Sequence, residues 1–252
     1  MSEINVVNTG RGVVWLIEGF EYFRRSAGAW IGTSIILIVI NIVSGVIPFV
    51  GIIIMQILTP VFIGGLLLGC RDIANDGKLL INHLFSGFNK EFGNLVVLGL
   101  IYTLGSIFIM MSMVLIAFVT VGLDSFINIV NGDSTFIFED FYTSNYVASI
   151  LMIVLIGLLL YVPLLMAFWF APALTVLDGQ KPLESIKNSF IGCLKNVIPF
   201  LIYGLVGLIL SILATIPLLL GWFILMPMII ASIYISYLDI FNPNLSITKR
   251  QD

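Results

Sequence analysis

The chain has 252 residues, 60% of them hydrophobic and only 10% charged, with a formal net charge of −3. Soluble domains run at about 45–50% apolar and about 25% charged, so this composition excludes a soluble globular domain. Apolar runs of about 20 residues, the length that crosses a bilayer as a helix, recur along it.

Residues 1–27 are expected to form a cytoplasmic N-terminus holding an amphipathic helix. Leu16, Ile17, Phe20 and Phe23 oppose Glu18, Glu21 and Arg25 there. The first spanning segment, 28–47, follows these charges. It is longer than a signal-peptide core of about 7–15 residues and lacks a small-residue cleavage site, so it reads as a retained helix. The second segment is 51–70, which places helices 1 and 2 within 28–70. An inner elbow, 71–94, presents Ile81, Leu84, Phe85, Phe88 and Phe92 opposite Asn82, Ser86, Asn89 and Lys90. Helices 3 and 4 occupy 95–170, as spans 95–121 and 146–170 flanking an outer loop, 122–145. That loop carries Asp124, Asp133, Glu139 and Asp140 and no basic residue. The second inner elbow, 171–196, turns at Asp178-Gly179 and then runs amphipathically, with Pro182 suited to a first helical turn. Leu183, Ile186, Phe190, Cys193, Leu194 and Val197 share its apolar face, and Glu184, Lys187, Asn188 and Lys195 the other. Helices 5 and 6, spans 197–217 and 221–241, and a cytoplasmic tail, 242–252, complete one polytopic domain, 1–252.

All eleven Lys and Arg residues fall on one side of this six-helix arrangement. The positive-inside rule puts that side, and both termini, in the cytoplasm. Amphipathic helices at such a boundary lie in the headgroup plane, apolar side down, and Trp15, Tyr22 and Trp30 suit an interfacial belt.

Self-comparison suggests a unit used three times in parallel: amphipathic helix, spanning helix, outer turn, spanning helix with a proline. At an offset of 102, Asp76-Gly77 falls on Asp178-Gly179, Phe88 on Phe190 and Asn94 on Asn196. Pro60 and Pro227 are each followed twelve residues later by an aspartate, Asp72 and Asp239, and Pro163 sits at a similar depth.

The spanning segments hold no charge near their centres, where ion-coupled transporters place ionisable groups. Their polar residues are mild, and Asn41 and Gln56 are expected to bond between adjacent helices. His83 is the single histidine, expected to be solvated or locally satisfied. Cys70 and Cys193 read as interfacial fillers, and no His/Cys cluster suggests a metal. Asp76 and Asp178 are candidates for a paired-carboxylate site, but Asp in a DG dipeptide more commonly bonds its own backbone. Asp72 has Arg71 beside it to offset a helix C-terminus, whereas Asp239 has no basic neighbour in sequence. No catalytic, cofactor-binding or metal-ligating residue is assigned, and no cofactor is expected.

The stretches GRGVVWLIEGFEYFRRSAGAWIG, TPVFIGGLLLGCRDI and FAPALTVLDGQKPLESIKNSFIGCLKN resemble an uncharacterised family of proteobacterial inner-membrane proteins. The layout is more distantly similar to the membrane domain found beside glycerophosphodiester phosphodiesterases, without their soluble catalytic part. The resemblance implies a bacterial inner-membrane location and adds no catalytic residue.

The expectation is therefore an all-α integral membrane protein with six transmembrane helices and three cytoplasmic-side interfacial amphipathic helices. Its foremost functional reading is a non-enzymatic scaffold or assembly partner. A lipid or small apolar-solute carrier comes second and a membrane-surface enzyme third. Membrane lipids, and another inner-membrane protein or complex, are the expected partners; no nucleic acid is.

Overall fold

The computed structural model describes residues 4–47, 50–121, 127, 131, 132 and 144–242. The acidic outer loop and the C-terminal tail fall almost wholly outside these residues. One or two non-helical residues separate short amphipathic helices from long apolar ones. Ser26 (φ −145°) divides α1 (Arg11–Arg25) from α2 (Ala27–Gly45). Helix α3 is Val50–Ala74. A 3₁₀ turn, Ile81–Phe85, and the single-turn α4 (Ser86–Asn89) lead to Glu91, whose φ of 57° precedes α5 (Phe92–Val121). Then come α6 (Ser144–Trp169), α7 (Ala171–Asp178) and α8 (Pro182–Lys195). Asn196 (φ −120°) separates α8 from α9 (Val197–Thr215), and α10 is Trp222–Phe241.

All regular structure among the described residues is helical, and six helices are long and apolar enough to cross a membrane. They are α2, α3, α5, α6 continued by α7, α9 and α10. The protein is thus an all-α integral membrane protein. Helix α3 runs a turn beyond the expected residue 70, because Arg71 and Asp72 do not stop it. Pro60, Pro163 and Pro227 lie inside α3, α6 and α10, each removing one backbone donor from its helix.

The chain divides into two compact units, residues 1–101 with 166–252, and residues 102–165. In the second unit, Tyr102 and Tyr161 pair through their hydroxyls at 3.2 Å, and Met113 packs on Gly157. Leu104, Phe108 and Leu155 face outward there, as lipid-facing residues do.

In the first unit α10 is the hub, with 72% of its apolar window buried, against 11% for the outward-facing α2. Glycines let the other helices reach their neighbours' backbones. A Cβ on Gly12 of α1 would lie 2.2 Å from the Pro199 carbonyl oxygen of α9, and one on Gly19 would lie 2.5 Å from that of Met228 in α10. Gly65 of α3 meets the His83 carbonyl oxygen in the same way.

The short helices depart from the expected picture. In α1 the buried residues are Gly12, Trp15, Leu16, Gly19 and Phe23, packed on α9 and α10, while Ile17 and Phe20 stay exposed. This apolar face is therefore shared between protein and lipid rather than laid wholly on the bilayer. Trp15 and Trp30 are buried in protein and form no interfacial belt. In α8 the packed strip is Ser185, Asn188, Ser189, Gly192 and Cys193. Leu183 (72% exposed) and Leu194 (55%) point away from the core. Asn188, expected on the water face, is buried and donates to Gln180 Oε1 at 2.9 Å. The expected helix over residues 80–94 is a 3₁₀ turn plus one α turn, which buries Leu84 and leaves Phe85, Phe88 and Phe92 outward as a ladder of ring contacts.

Candidate functional site

Polar residues gather at the end of the first unit where α3, α7 and α10 finish and the short helices pack. Asp239, in the last turn of α10, lies where a negative charge opposes the helix dipole. Its compensation comes from the far end of the chain. Arg11 Nε donates to Asp239 Oδ2 at 2.7 Å, its terminal nitrogens grip Glu18 at 3.0 and 3.3 Å, and Trp15 Nε1 donates to Asp239 Oδ2 at 2.8 Å. Asp239 is 4% exposed, so this is a buried, hydrogen-bonded ion pair. Burial is the largest single influence on Arg11 and opposes its charge. Glu18 and Asp239 together outweigh it and raise the guanidinium pKa, so Arg11 stays charged at every physiological pH.

The segment before α1 is strapped to the same end. Asn5 donates from its backbone to the Ile240 carbonyl at 2.8 Å and from its side chain to the Asp239 carbonyl at 3.1 Å. Asn196, in the α8–α9 joint, accepts from Val7 N–H and donates to the carbonyls of Asn5 and Gly192.

The other candidates are held separately. His83 Nδ1 accepts from the Leu80 N–H at 2.9 Å, so its proton sits on Nε2 and points to Asp72 Oδ2 at 3.1 Å. The partner of Asp72 is thus His83, not the expected Arg71. Asp178 takes a hydrogen bond from the Tyr237 hydroxyl, which also accepts from Asn242 Nδ2. Asp76 itself adopts a left-handed conformation (φ 62°), whereas in the matching dipeptide Gly179 does so (φ 68°). The two aspartates therefore occupy different turns, and no hydrogen bond or ion pair joins them among the described residues. Asn41 donates to the Leu37 carbonyl of its own helix at 2.8 Å. Cys70 and Cys193 are both buried, and burial pushes the Cys193 thiol up to about 12. No group of three His, Cys, Asp or Glu converges among the described residues.

What the polar end lacks in open space, the apolar part supplies. A half-open cleft of about 690 Å³ lies between α2, α3 and α10. Trp30, Leu37 and Asn41 of α2, Phe62 of α3, and Trp222 and Ile230 of α10 are among its walls, and no charged residue is among the described ones. Ile38 and Met226 at its border are about half exposed, so its mouth opens to the side, where lipid lies. The spanning-helix prolines are the sequence signal for an opening of this kind, and Pro227 is in its wall, but its other lining residues are not marked in the sequence.

The chain is similar to a probable inner membrane protein of Burkholderia thailandensis, at 28% identity over 212 residues, which cover 82% of this chain and 75% of that one. No family profile and no solved structure matches it. With six apolar helices, this similarity supports an inner-membrane protein in contact with lipid.

Proposed function

We propose that this is a non-enzymatic protein of the bacterial inner membrane, with both termini in the cytoplasm, that takes a lipid or small apolar solute into its lateral cleft. The observation that carries this reading is the cleft between α2, α3 and α10, whose described walls are uncharged and mostly apolar. Pockets of about 300–1,000 Å³ with apolar walls and few polar groups are the usual form of a small-molecule site. The charged clusters argue against surface chemistry as the main role. Arg11 bridges Asp239 and Glu18, Tyr237 donates to Asp178, and His83 pairs with Asp72. Each is tied to helix packing. The orientation rests on the sequence positions of the eleven Lys and Arg residues, all on one side of the six-helix arrangement.

The cleft moves the carrier ahead of the scaffold that sequence alone favours. A specific observation keeps the scaffold as the second reading: Ile17 and Phe20 of α1 and Leu183 and Leu194 of α8 present apolar side chains outward from the packed end. Native mass spectrometry of protein released from its own membranes with minimal detergent separates the two. One lipid or apolar molecule retained at a fixed ratio supports the carrier. A stoichiometric protein partner without retained lipid supports the scaffold and sets the carrier aside.

A further inference from the structure

We infer that α1 is a clamp: it closes a threefold repeat into a ring, and so holds α2 and α10 at the spacing that makes the cleft. The clamp concerns the walls of the cleft and stands apart from what fills it.

Three seats of one design carry the repeat. In each, a small residue of an elbow lies against the carbonyl oxygen of one spanning-helix residue and the nitrogen of the residue four further on. Gly87 of α4 meets α3, where an added Cβ would overlap the Val61 oxygen and lie 3.2 Å from the Gly65 nitrogen. Gly19 of α1 meets α10 in the same way, 2.5 Å from the Met228 oxygen and 3.2 Å from the Ser232 nitrogen. At the third seat Ser189 of α8 donates to the Met166 carbonyl at 2.7 Å and accepts from the Phe170 N–H at 2.9 Å. Val61 and Met228 each follow directly on a proline, and the offset of 102 that links Asn94 to Asn196 also links Gly87 to Ser189.

Order along the chain sets α1 apart. The elbow holding Gly87 sits on α3, the spanning helix ahead of it, and α8 sits on the end of α6 and on α7, also ahead of it. The first described helix, α1, seats instead on the last, α10. The segments leading into the elbows repeat the pattern. Leu79 N–H, ahead of the second elbow, donates to Ser26 Oγ at the end of the first, at 3.1 Å. Val7 N–H, ahead of the first, donates to Asn196 Oδ1 at the end of the third, at 2.9 Å. The first elbow therefore stands where a fourth would, and the ring closes there.

This closure fixes two walls of the cleft. Helix α1 grips α10 through Gly19, through the rings of Tyr22 and Tyr234 at 6.1 Å, and through Arg11 and Trp15 on Asp239. One residue, Ser26, joins it to α2. The buried residues of α2 are Trp30 and Thr33, both in its first two turns. At its outer end α2 meets α3, where Gly51 packs on the Ser44 carbonyl. Its inner end is placed against α10 by α1.

Nitroxide labels on cysteines replacing Ile38 and Met226, about half exposed at the border of the cleft on α2 and α10, read the spacing by double electron–electron resonance in nanodiscs. Gly19→Leu wedges α1 off α10 and should move this distance to longer, broader values. Ser189→Leu, the same damage at the third seat, should leave it unchanged. A second pair, at Ile17 and Leu205, both exposed on α1 and α9, reports whether α1 has moved. Movement of α1 with the Ile38–Met226 distance held overturns the clamp. An equal change in both variants overturns it too, as general loosening, and no change in either pair overturns the tight seat. Where the leucine variants do not fold, Gly19→Ala and Ser189→Ala are read against the same outcomes. The readout is a distance between helices, so a cleft that retains no lipid leaves it standing.

Discussion

Arg11 and Asp239 stand 228 residues apart in sequence and share the most buried charge pair described. Removing one member of such a pair strands the other, at a cost of about 3–5 kcal/mol, whereas replacing both with apolar groups is often tolerated. Asp239→Leu should therefore lower thermal stability in detergent more than Arg11→Met combined with Asp239→Leu. A double variant no more stable than the single would show that the pair adds nothing. The glycines of α1 make an equally sharp case. Gly12→Ala and Gly19→Ala drive a methyl into carbonyl oxygens that cannot swing away, and overpacking of this kind costs about 1–3 kcal/mol. Gly204→Ala and Gly207→Ala in α9 meet nothing within 4 Å and should leave the melting temperature unchanged or slightly raised. Cys193 offers a chemical check. Burial holds its pKa near 12, so at pH 7.5 its reactive thiolate is on the order of one molecule in 10⁴–10⁵. Maleimide should label neither cysteine in native membranes and both in dodecyl sulfate, since both are buried; prompt native labelling would mean the α7–α8 packing opens readily.

Helix α8 shows what an element of this protein is for. Its serines repair a break in the chain. Pro172, near the start of α7, cannot donate to the helix before it, and α6 and α7 part at Phe170. Ser189 Oγ accepts from the Phe170 N–H at 2.9 Å and donates to the Met166 carbonyl at 2.7 Å, while Ser185 and Thr175 pair at 2.8 Å. Ser189→Ala leaves a buried N–H and a partly buried carbonyl without this partner and should cost about 1–3 kcal/mol, visible as a lower melting temperature and faster proteolysis between α7 and α8. The amphipathic character of α8 is legible in its sequence, but which face packs is not. In a bilayer, lipid is as apolar as a protein core, so hydrophobicity no longer marks the inside. Leu183 and Leu194 accordingly face out, and the small residues Ser185, Ser189, Gly192 and Cys193 face in. Their spacing of three and four is the signal that marks the packed side.

For the whole molecule, hydropathy and the Lys and Arg distribution made six spanning helices legible to within a few residues. The polar cluster at the packed end was legible only as separate residues. Asp239 is explained by Arg11 and Trp15, and His83 by Asp72 and Leu80, contacts that appear only when distant segments meet. The cleft was illegible for a related reason: its walls are ordinary spanning-helix residues, and its shape depends on how α2, α3 and α10 cross. The proposed orientation carries its own test. A cysteine replacing the exposed Lys181 should react with impermeant maleimide in inside-out vesicles and not in intact spheroplasts.

The lipid in the cleft is the central claim, and its most direct measurement is photocrosslinking with a phospholipid carrying a diazirine in its acyl chain, followed by peptide mapping. Adducts concentrated on cleft residues such as Leu37, Phe62, Met226 and Ile230 are the result predicted. Adducts spread evenly over outward-facing residues such as Leu104, Phe108 and Leu155, with none enriched in the cleft, would contradict it.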